Sequence, residues 1–485
     1  MRESQLGKKR ALLYLLVTLL IGVGAVFSIE LGLRVFDLGD PNLRPDPFVG
    51  FSSTRPLFAL NGEGTRYEIA PSRRTFFYYD SFPSRKADDE FRIFCLGGST
   101  VAGRPYGIET SFTTWLELGL EAADPSRNWE VVNCGGISYA SYRLVPVLEE
   151  VLNLAPDLIV LMTGHNEFLE DRTYGHIRRL PQFAAAPYDW ISRTWTFTLL
   201  RGLFEPDDSE ENPGQTILPT EVQALLDYKG GLEKYRRDEA SRASVIEHFN
   251  VNLERMVGLA ARAGVPILLV NPGCNLRDTP PFKSEHRNDL TEEQLLEWNL
   301  LRRASNEISS SDPPGSLDRL KKAVEIDDQH AGTLYRLGQM YDSMGRVEEA
   351  RWAYEMAKEF DVCPLRILTA MNRAIAEIEE EADLPGVDAG ALLADRCSDR
   401  IPGDEVYLDH VHPTFQSHQL IANALIERMS EAGLVEPEED WPEKRDGAYA
   451  AHSESLDEVY FAKGQIRLEK LRSWAAGRSD IELSP

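Results

Sequence analysis

The chain has 485 residues, a length that suggests two or three domains and allows a large buried core. Acidic residues number 78 against 52 lysines and arginines, and the formal net charge is −26 at pH 7. Binding to nucleic acid depends on clustered lysine and arginine side chains. The acidic balance therefore argues against a nucleic-acid partner.

A basic flank and an apolar run stand at the N-terminus. The first ten residues hold four lysines and arginines, and Ala11 to Ile29 then carries no charged residue. An apolar helix of about 20 residues spans the roughly 30 Å of a bilayer core, and a basic flank stays cytoplasmic. We predict that residues 1–35 form a cytoplasmic flank and transmembrane signal-anchor, with the bulk of the chain outside the cytoplasm. A cleaved signal peptide ending near Ser28 is the alternative.

The pattern that follows is typical of an α/β protein. Residues 36–88 are a lead-in segment rich in Pro, Gly, Arg and aromatic residues, with a strand or two such as Thr75–Tyr79. Residues 89–275 then alternate short apolar runs with amphipathic stretches. We predict strands at Phe91–Leu96, Trp129–Asn133, Asp157–Met162 and Pro266–Val270, and helices at Ser111–Ala123, Tyr142–Asn153 and Ala243–Ala263. This alternation predicts a parallel, doubly wound sheet, in which ligands bind beyond the carboxyl ends of the strands.

The stretch after the third predicted strand is less regular. Ile177–Phe204 contains several aromatic residues, Glu205–Gly214 is an acidic linker, and Thr220–Arg237 has a helical pattern. The aromatic side chains fit an acyl pocket, a lid or a membrane contact, but ordinary packing is the more common reason for such a group.

Residues 276–362 leave the α/β pattern and form a helical insertion. One segment matches the tetratricopeptide repeat (TPR) pattern at Leu334, Leu337, Gly338, Tyr341, Ala350, Tyr354 and Ala357. A shift by the 34-residue period of that repeat places Leu300, Leu320 and Ala323 at equivalent positions. Two repeats are few for an independent solenoid, so either a peptide-binding site for a protein partner or a wall stacked on the α/β core fits this segment.

Residues 363–434 return to the α/β pattern. A helix over Ile367–Ala382 and a strand near Leu384–Asp388 precede the segment Asp409-His410-Val411-His412-Pro413, and Gln416–Ala432 is predicted helical. Residues 435–485 form a charged tail with a helical patch at Leu456–Ala476, which we expect to pack on the outside.

The most informative chemistry joins the two ends of this core. Gly97-Gly98-Ser99-Thr100 follows the first predicted strand, and Asp409 precedes His412 by three positions. A serine hydroxyl needs an adjacent base, and a carboxylate fixes the tautomer of that base. Alone, the glycine–serine segment is commonly a turn, and Asp409 is equally suited to cap a helix.

The set of motifs resembles the SGNH (GDSL-like) serine hydrolases. Besides the serine and histidine blocks, Asn133-Cys134-Gly135-Gly136 and Gly164-His165-Asn166-Glu167 stand in the order of that family. The resemblance implies a flavodoxin-like three-layer α/β/α fold and no cofactor or metal. It implies a triad of Ser99, His412 and Asp409, and an oxyanion hole formed by the N–H groups of Ser99 and Gly135 and by the Asn166 amide. Gly98 stands where the family often has Asp, and Glu167 where it often has Asp after the Asn.

The expected function is ester hydrolysis outside the membrane. The chain is interpreted as a membrane-anchored extracytoplasmic serine esterase acting on O-acyl, possibly O-acetyl, esters, carbohydrate esters among them. The alternatives are an O-acyltransferase acting on an exported polysaccharide and a non-catalytic TPR-containing assembly protein. Candidate substrate contacts near the fourth strand are Arg277, Lys283, His286 and Arg366, with solvated loop charges as the simpler interpretation.

The five cysteines would lie in an oxidising compartment. We predict Cys95 and Cys134 as buried apolar side chains in strands, and Cys363 with Cys397 as the pair most suited to a disulfide. A bridge closing a loop of that size would stabilise by roughly 3–4 kcal/mol.

Overall fold

The computed structural model describes residues 56–170 and 231–476, together with residues 27–35 and single positions at 18, 22, 24 and 196. The chain divides into two compact units, one of residues 1–54 and 172–218 and one of residues 55–171 and 219–485. The aromatic group at Ile177–Phe204, the linker at Glu205–Gly214 and most of the predicted helix at Thr220–Arg237 lie outside the described residues.

In the first unit, residues 27–35 are helical, and Glu30 accepts a hydrogen bond from the Thr196 backbone N–H at 2.9 Å. Within the ranges that the structure describes, no helix has both the length and the apolar character needed to cross a membrane. The predicted anchor, Ala11 to Ile29, lies mostly outside those ranges. Membrane anchoring therefore stays a prediction.

The second unit is built on a five-stranded parallel sheet. Its strands are β4 Glu90–Gly97, β5 Asn128–Gly135, β6 Leu158–Met162, β7 Ile267–Asn271 and β8 Gly386–Asp388, arranged in the order β5-β4-β6-β7-β8. This order is typical of flavodoxin-like sheets, in which the crevice for ligands opens where the winding reverses, here between β4 and β6. The predicted parallel sheet is confirmed, and each predicted strand of the core agrees with an observed one to within two residues.

Helices cover the sheet in two groups. The first comprises α2 Phe112–Ala123, α11 Ala389–Ala394, α12 Phe415–Glu431 and α13 Trp441–Ser455. Side chains of this group form one buried cluster with sheet residues such as Ile93, Cys95 and Val160. The second comprises α3 Ser141–Val151, α5 Glu239–Ala263 and α10 Thr369–Glu381, which pack on one another and contribute no residue to that cluster. Strands covered by helices in this way are almost continuously apolar, as the sequence of β6 shows.

The lead-in segment forms a small antiparallel sheet of β1 Phe58–Leu60, β2 Arg66–Ile69 and β3 Ser81–Pro83. The strand expected at Thr75–Tyr79 is wrong, because within that range only Phe77 pairs, as an isolated bridge to Gly136. This bridge attaches the lead-in to the loop that follows β5.

The insertion consists of four helices, α6 Glu292–Ile308, α7 Pro313–Ile326, α8 Ala331–Ser343 and α9 Val347–Glu359. Leu334, Tyr354 and other repeat-pattern residues share one buried cluster, and a Cβ added at Gly338 would lie 2.8 Å from the Tyr354 ring. Close packing of α8 on α9 is therefore observed. Leu300 is 60% exposed, so the shifted pattern does not describe the packing of α6. Assignment to the TPR family and a protein partner stay predictions.

The cysteines are all free and buried, and the predicted disulfide is wrong. Cys363 packs with Tyr235 and Phe282, whereas Cys397 belongs to the cluster beneath the first group of helices. The two thiols are thus held in separate apolar clusters.

Candidate active site

The turn after β4 presents Ser99. Gly97 ends β4, and Ser99 begins the short helix α1 Ser99–Ala102. A Cβ at Gly97 would lie 2.2 Å from the Met162 carbonyl oxygen, and one at Gly98 would lie 2.7 Å from Asn166 Nδ2. Both glycines are therefore required by close approach. A side chain at position 98 would therefore displace the amide of Asn166.

Ser99, His412 and Asp409 form a chain of hydrogen bonds. His412 Nε2 lies 2.8 Å from Ser99 Oγ, and His412 Nδ1 lies 2.7 Å from Asp409 Oδ2. An ionised carboxylate only accepts, so Nδ1 carries the proton and Nε2 presents its lone pair to the serine hydroxyl. This arrangement allows His412 to remove the hydroxyl proton of Ser99.

Asp409 is held ionised despite its burial. Burial raises the pKa of its carboxyl, but the His412 and His410 rings and hydrogen bonds from His412 and Val411 outweigh that effect and hold it well below its usual range. The N–H groups of Val411 and His412 both donate to Oδ1, at 3.0 and 2.9 Å. Asp409 therefore anchors its own loop while it orients the histidine. It does not cap a helix, since Thr414 is the cap residue of α12.

Three further buried histidines lie near this chain of hydrogen bonds. Burial lowers the pKa of His165 to about 3, that of His418 to about 3 and that of His410 to about 4. His165 Nδ1 accepts from the Ile367 N–H, and His418 Nδ1 accepts from the Phe112 N–H. The neutral rings of His165 and His418 thus act as acceptors for backbone N–H groups. His418 lies on the buried face of α12 and is 3% exposed.

The oxyanion hole differs from the arrangement implied by the family resemblance. Ser99 is the first residue of α1, so its N–H has no acceptor within the helix. Asn166 Nδ2 donates to the Tyr139 carbonyl at 2.9 Å and keeps a second N–H, because a side-chain amide has two. The Gly135 N–H instead donates to Asn133 Oδ1 at 2.9 Å. The expectation that the Gly135 N–H forms part of the oxyanion hole is therefore wrong. Gly135 instead allows close packing of β5 on α1, since a Cβ there would lie 2.1 Å from the Ala102 backbone nitrogen.

Asn133 is a supporting residue that the sequence did not single out. Its Nδ2 donates to the Val101 carbonyl at 2.7 Å and to Thr113 Oγ1 at 2.9 Å. These bonds tie the end of β5 to α1 and α2. Glu167 supports the opposite side, where it accepts from the Ser141 N–H at 2.7 Å. Glu167 thus ties the loop after β6 to the start of α3.

The four candidate substrate contacts make other interactions. Arg277 pairs with Asp342 and Asp399, Lys283 donates to the carbonyls of Leu232 and Tyr235, His286 pairs with Asp327, and Arg366 donates to the carbonyls of Asn275 and Thr279. These contacts join the insertion and its flanking loops to the α/β core. These contacts support a structural role for the four residues, and a substrate-binding role stays a prediction.

The C-terminal helix α14 Glu458–Ala476 reaches the loops of the site. Arg467 donates to the Tyr106 carbonyl, and Arg472 Nε donates to the Leu408 carbonyl at 2.9 Å, directly before Asp409. Leu408 N–H in turn donates to the His412 carbonyl at 2.7 Å. The tail thus contacts both ends of the site rather than only the outside of the fold.

Comparison with known proteins finds structural matches only: neither a family model nor a curated protein matches the sequence. A lipolytic protein of the G-D-S-L family from Desulfitobacterium hafniense matches at 11% identity and a TM-score of 0.30, over 70% of this chain and 98% of that one. A catalytic mutant of an acetylxylan esterase from Geobacillus stearothermophilus matches at 13% identity and a TM-score of 0.31, over 70% of this chain and 94% of that one. A GDSL-like lipase from Bacteroides thetaiotaomicron matches at 10% identity and a TM-score of 0.30, over 72% of this chain and 91% of that one. Two of these three descriptions, the first and the third, carry the name GDSL.

Proposed function

We propose that this chain is an SGNH-type serine esterase that hydrolyses O-acyl esters. The observation that carries the proposal is the continuous hydrogen-bonded chain from Ser99 Oγ through His412 to Asp409. All three side chains are at least nine-tenths buried, so their geometry is fixed by packing. A protein with only a scaffolding role has no need for an oriented base against a serine.

The reaction follows from this geometry. Ser99 Oγ attacks the ester carbonyl carbon while His412 Nε2 takes its proton, and Asp409 stabilises the resulting imidazolium. The oxyanion accepts hydrogen bonds from the Ser99 N–H and the free Asn166 amide N–H. His412 then returns the proton to the departing alcohol, which leaves an acyl group on Ser99. Water attacks this acyl-enzyme as His412 removes its proton, and Ser99 and the free acid are released.

Ser99→Ala is the decisive variant. It should abolish hydrolysis of p-nitrophenyl acetate and labelling by a fluorophosphonate probe, because the attacking atom is missing. Ser455→Ala, which removes an exposed serine at the end of α13, is the matched control and should leave both unchanged. Full esterase activity in the Ser99→Ala protein would refute the proposal.

The same assay also identifies the molecule that accepts the acyl group from Ser99. A polysaccharide O-acyltransferase would use the same serine, and a sugar hydroxyl would replace water in the second step. Adding an oligosaccharide during p-nitrophenyl acetate turnover should leave the yield of free acetate unchanged if water is the acceptor. Acetylated oligosaccharide at the expense of acetate would instead assign transferase activity.

The site is further proposed to lie outside the cytoplasm, held by the apolar run at Ala11 to Ile29. Support comes from residues 27–35, where Phe27, Ile29, Leu31 and Val35 are each more than half exposed. Lipid would cover such side chains at no cost in hydration. A reporter fused after residue 60 should be active only outside the cytoplasm, and activity confined to the cytoplasm would contradict this.

A further inference from the structure

Arg73 is a buried cation that has no matching anion in the part of the chain that the structure describes. Its side chain lies in the lead-in segment and the residue is 6% exposed. Among the described residues it forms no ion pair, and its Nε has no hydrogen-bond partner. A charge removed from water without a partner costs several kcal/mol, so buried arginines are normally paired.

The surroundings of Arg73 offset only part of this cost. Its guanidinium lies 5.4 Å from the Phe77 ring centre and 5.9 Å from the Tyr139 ring centre. Cation–π contacts of this kind attract the guanidinium but provide no full negative charge to neutralise it. Burial raises the pKa of the Tyr139 hydroxyl, although Arg73 and Arg143 beside it act in the opposite direction. Tyr139 is therefore neutral at physiological pH and supplies no countercharge.

Arg143 shows how the same neighbourhood treats a paired arginine. It lies 5.7 Å from the Tyr139 ring centre and forms a two-pronged ion pair with Glu170, with contacts of 2.8 and 2.7 Å. Two buried guanidinium groups thus flank one tyrosine, and a carboxylate of this chain pairs with one of them. The two arginines differ in that Arg143 has a carboxylate partner and Arg73 has none among the described residues.

Arg73 is connected to the reacting serine through short contacts. Tyr139, on which it lies, accepts the Asn166 amide with its carbonyl oxygen, and a Cβ at Gly98 would lie 3.4 Å from that oxygen. The lead-in also contacts this loop, since the Phe76 carbonyl oxygen accepts a hydrogen bond from the Ile137 N–H at 2.7 Å. The cation therefore lies beside Tyr139, whose carbonyl oxygen accepts a hydrogen bond from the Asn166 amide.

We propose that Arg73 binds an anionic group of the substrate, so that the preferred ester carries a carboxylate or a phosphate close to the acyl group. This assignment rests on the proposed esterase function and adds the substrate class to it. A guanidinium presents a planar set of N–H donors that matches both anions. A bound anion would supply the countercharge that Arg73 lacks among the described residues.

The test compares three mono-acetylated sugars that differ at one carbon: a methyl glucoside, the matching glucuronide and the matching sugar phosphate. Wild-type kcat/KM should be at least about tenfold higher for one anionic ester than for the neutral one, mainly through KM. The anionic ester with the higher kcat/KM shows whether the site prefers a carboxylate or a phosphate. Arg73→Gln should abolish the preference and leave the neutral ester and p-nitrophenyl acetate unchanged, whereas Arg73→Lys should keep part of it.

Arg74→Gln is the matched control, because Arg74 is the neighbouring arginine and pairs with Glu68 at 3.7 Å on the surface. It should keep the full preference. Since Arg73→Gln removes an unpaired buried charge, its thermal unfolding midpoint should not fall. If the midpoint does fall, two other results decide: Arg73→Lys should keep part of the preference, and free methyl glucuronide should slow hydrolysis by the wild type. Equal rates for all three sugars, or an unchanged preference in Arg73→Gln, would overturn the assignment alone. Inactivity of the wild type on every ester would overturn the esterase proposal as well.

Discussion

Replacing Asp409 by asparagine should disable the base without disturbing its position. Oδ1 of Asp409 accepts the backbone N–H groups of Val411 and His412, and those donors will retain the amide oxygen in the variant. The new NH₂ group then takes the place of Oδ2, which lies 2.7 Å from His412 Nδ1. An N–H facing Nδ1 forces the ring to carry its proton on Nε2, where it can no longer accept one from Ser99.

The size of the effect follows from this change of tautomer. The same substitution in serine proteases lowers kcat on the order of 10⁴-fold, and we expect a similar loss here. KM should change little, because Asp409 lies behind the histidine and is 6% exposed. The loss should be smaller than that in Ser99→Ala or His412→Ala, where the nucleophile or base itself is missing.

The assay is steady-state hydrolysis of p-nitrophenyl acetate, with the thermal unfolding midpoint measured on the same samples. Asp404→Asn is the control, since Asp404 lies on the preceding loop and its side chain is 55% exposed. If Asp409→Asn folds normally and keeps more than about a tenth of wild-type kcat, the tautomer argument is wrong.

Three other variants and one chemical assay test the remaining geometry. Asn166→Ala should lower kcat by about 10²–10³-fold through loss of an oxyanion donor, as measured in single-turnover reactions. Gly98→Ala should lower kcat while the midpoint of unfolding shifts little, because its Cβ would displace the Asn166 amide. Since the folded pKa of His418 is depressed to about 3, the wild type loses stability as pH falls from 6.5 towards that value. His418→Asn should remove up to about 1.4 kcal/mol per pH unit of that slope in urea titrations at several pH values. Thiol titration of the denatured protein should find all five cysteines reduced.

The parts of the fold that the sequence predicted are those in which local pattern and long-range packing agree. A short continuous apolar run such as Leu158–Met162 favours a buried strand over a helix, and the glycine pair before Ser99 marks the turn that precedes a helix. The placement of Ser99 opposite His412 was inferred from motif order, since no local pattern can indicate that residues so distant in the chain meet.

The errors arise where the sequence does not show which partner a polar group has. Gly135 looked like a donor, but the side chain of Asn133 two residues earlier accepts its N–H. Arg277 looked like a free cation because Asp342 and Asp399, its partners, belong to distant segments. Arg73 was not singled out at all, because its burial depends on packing of the lead-in against Tyr139.

The contact between Arg472 and Leu408 affects the stage of folding at which Ser99, His412 and Asp409 come together. Ser99 and His412 are separated by 313 positions, so their meeting is among the slow, entropically costly steps of folding. Helix α14, which holds the loop before Asp409, is made later than both. A chain still being synthesised can therefore contain every residue of the triad before α14 is available to hold the loop that precedes Asp409. If the proposed function is correct, this order of segments delays esterase activity until the C-terminal helix has folded onto the site.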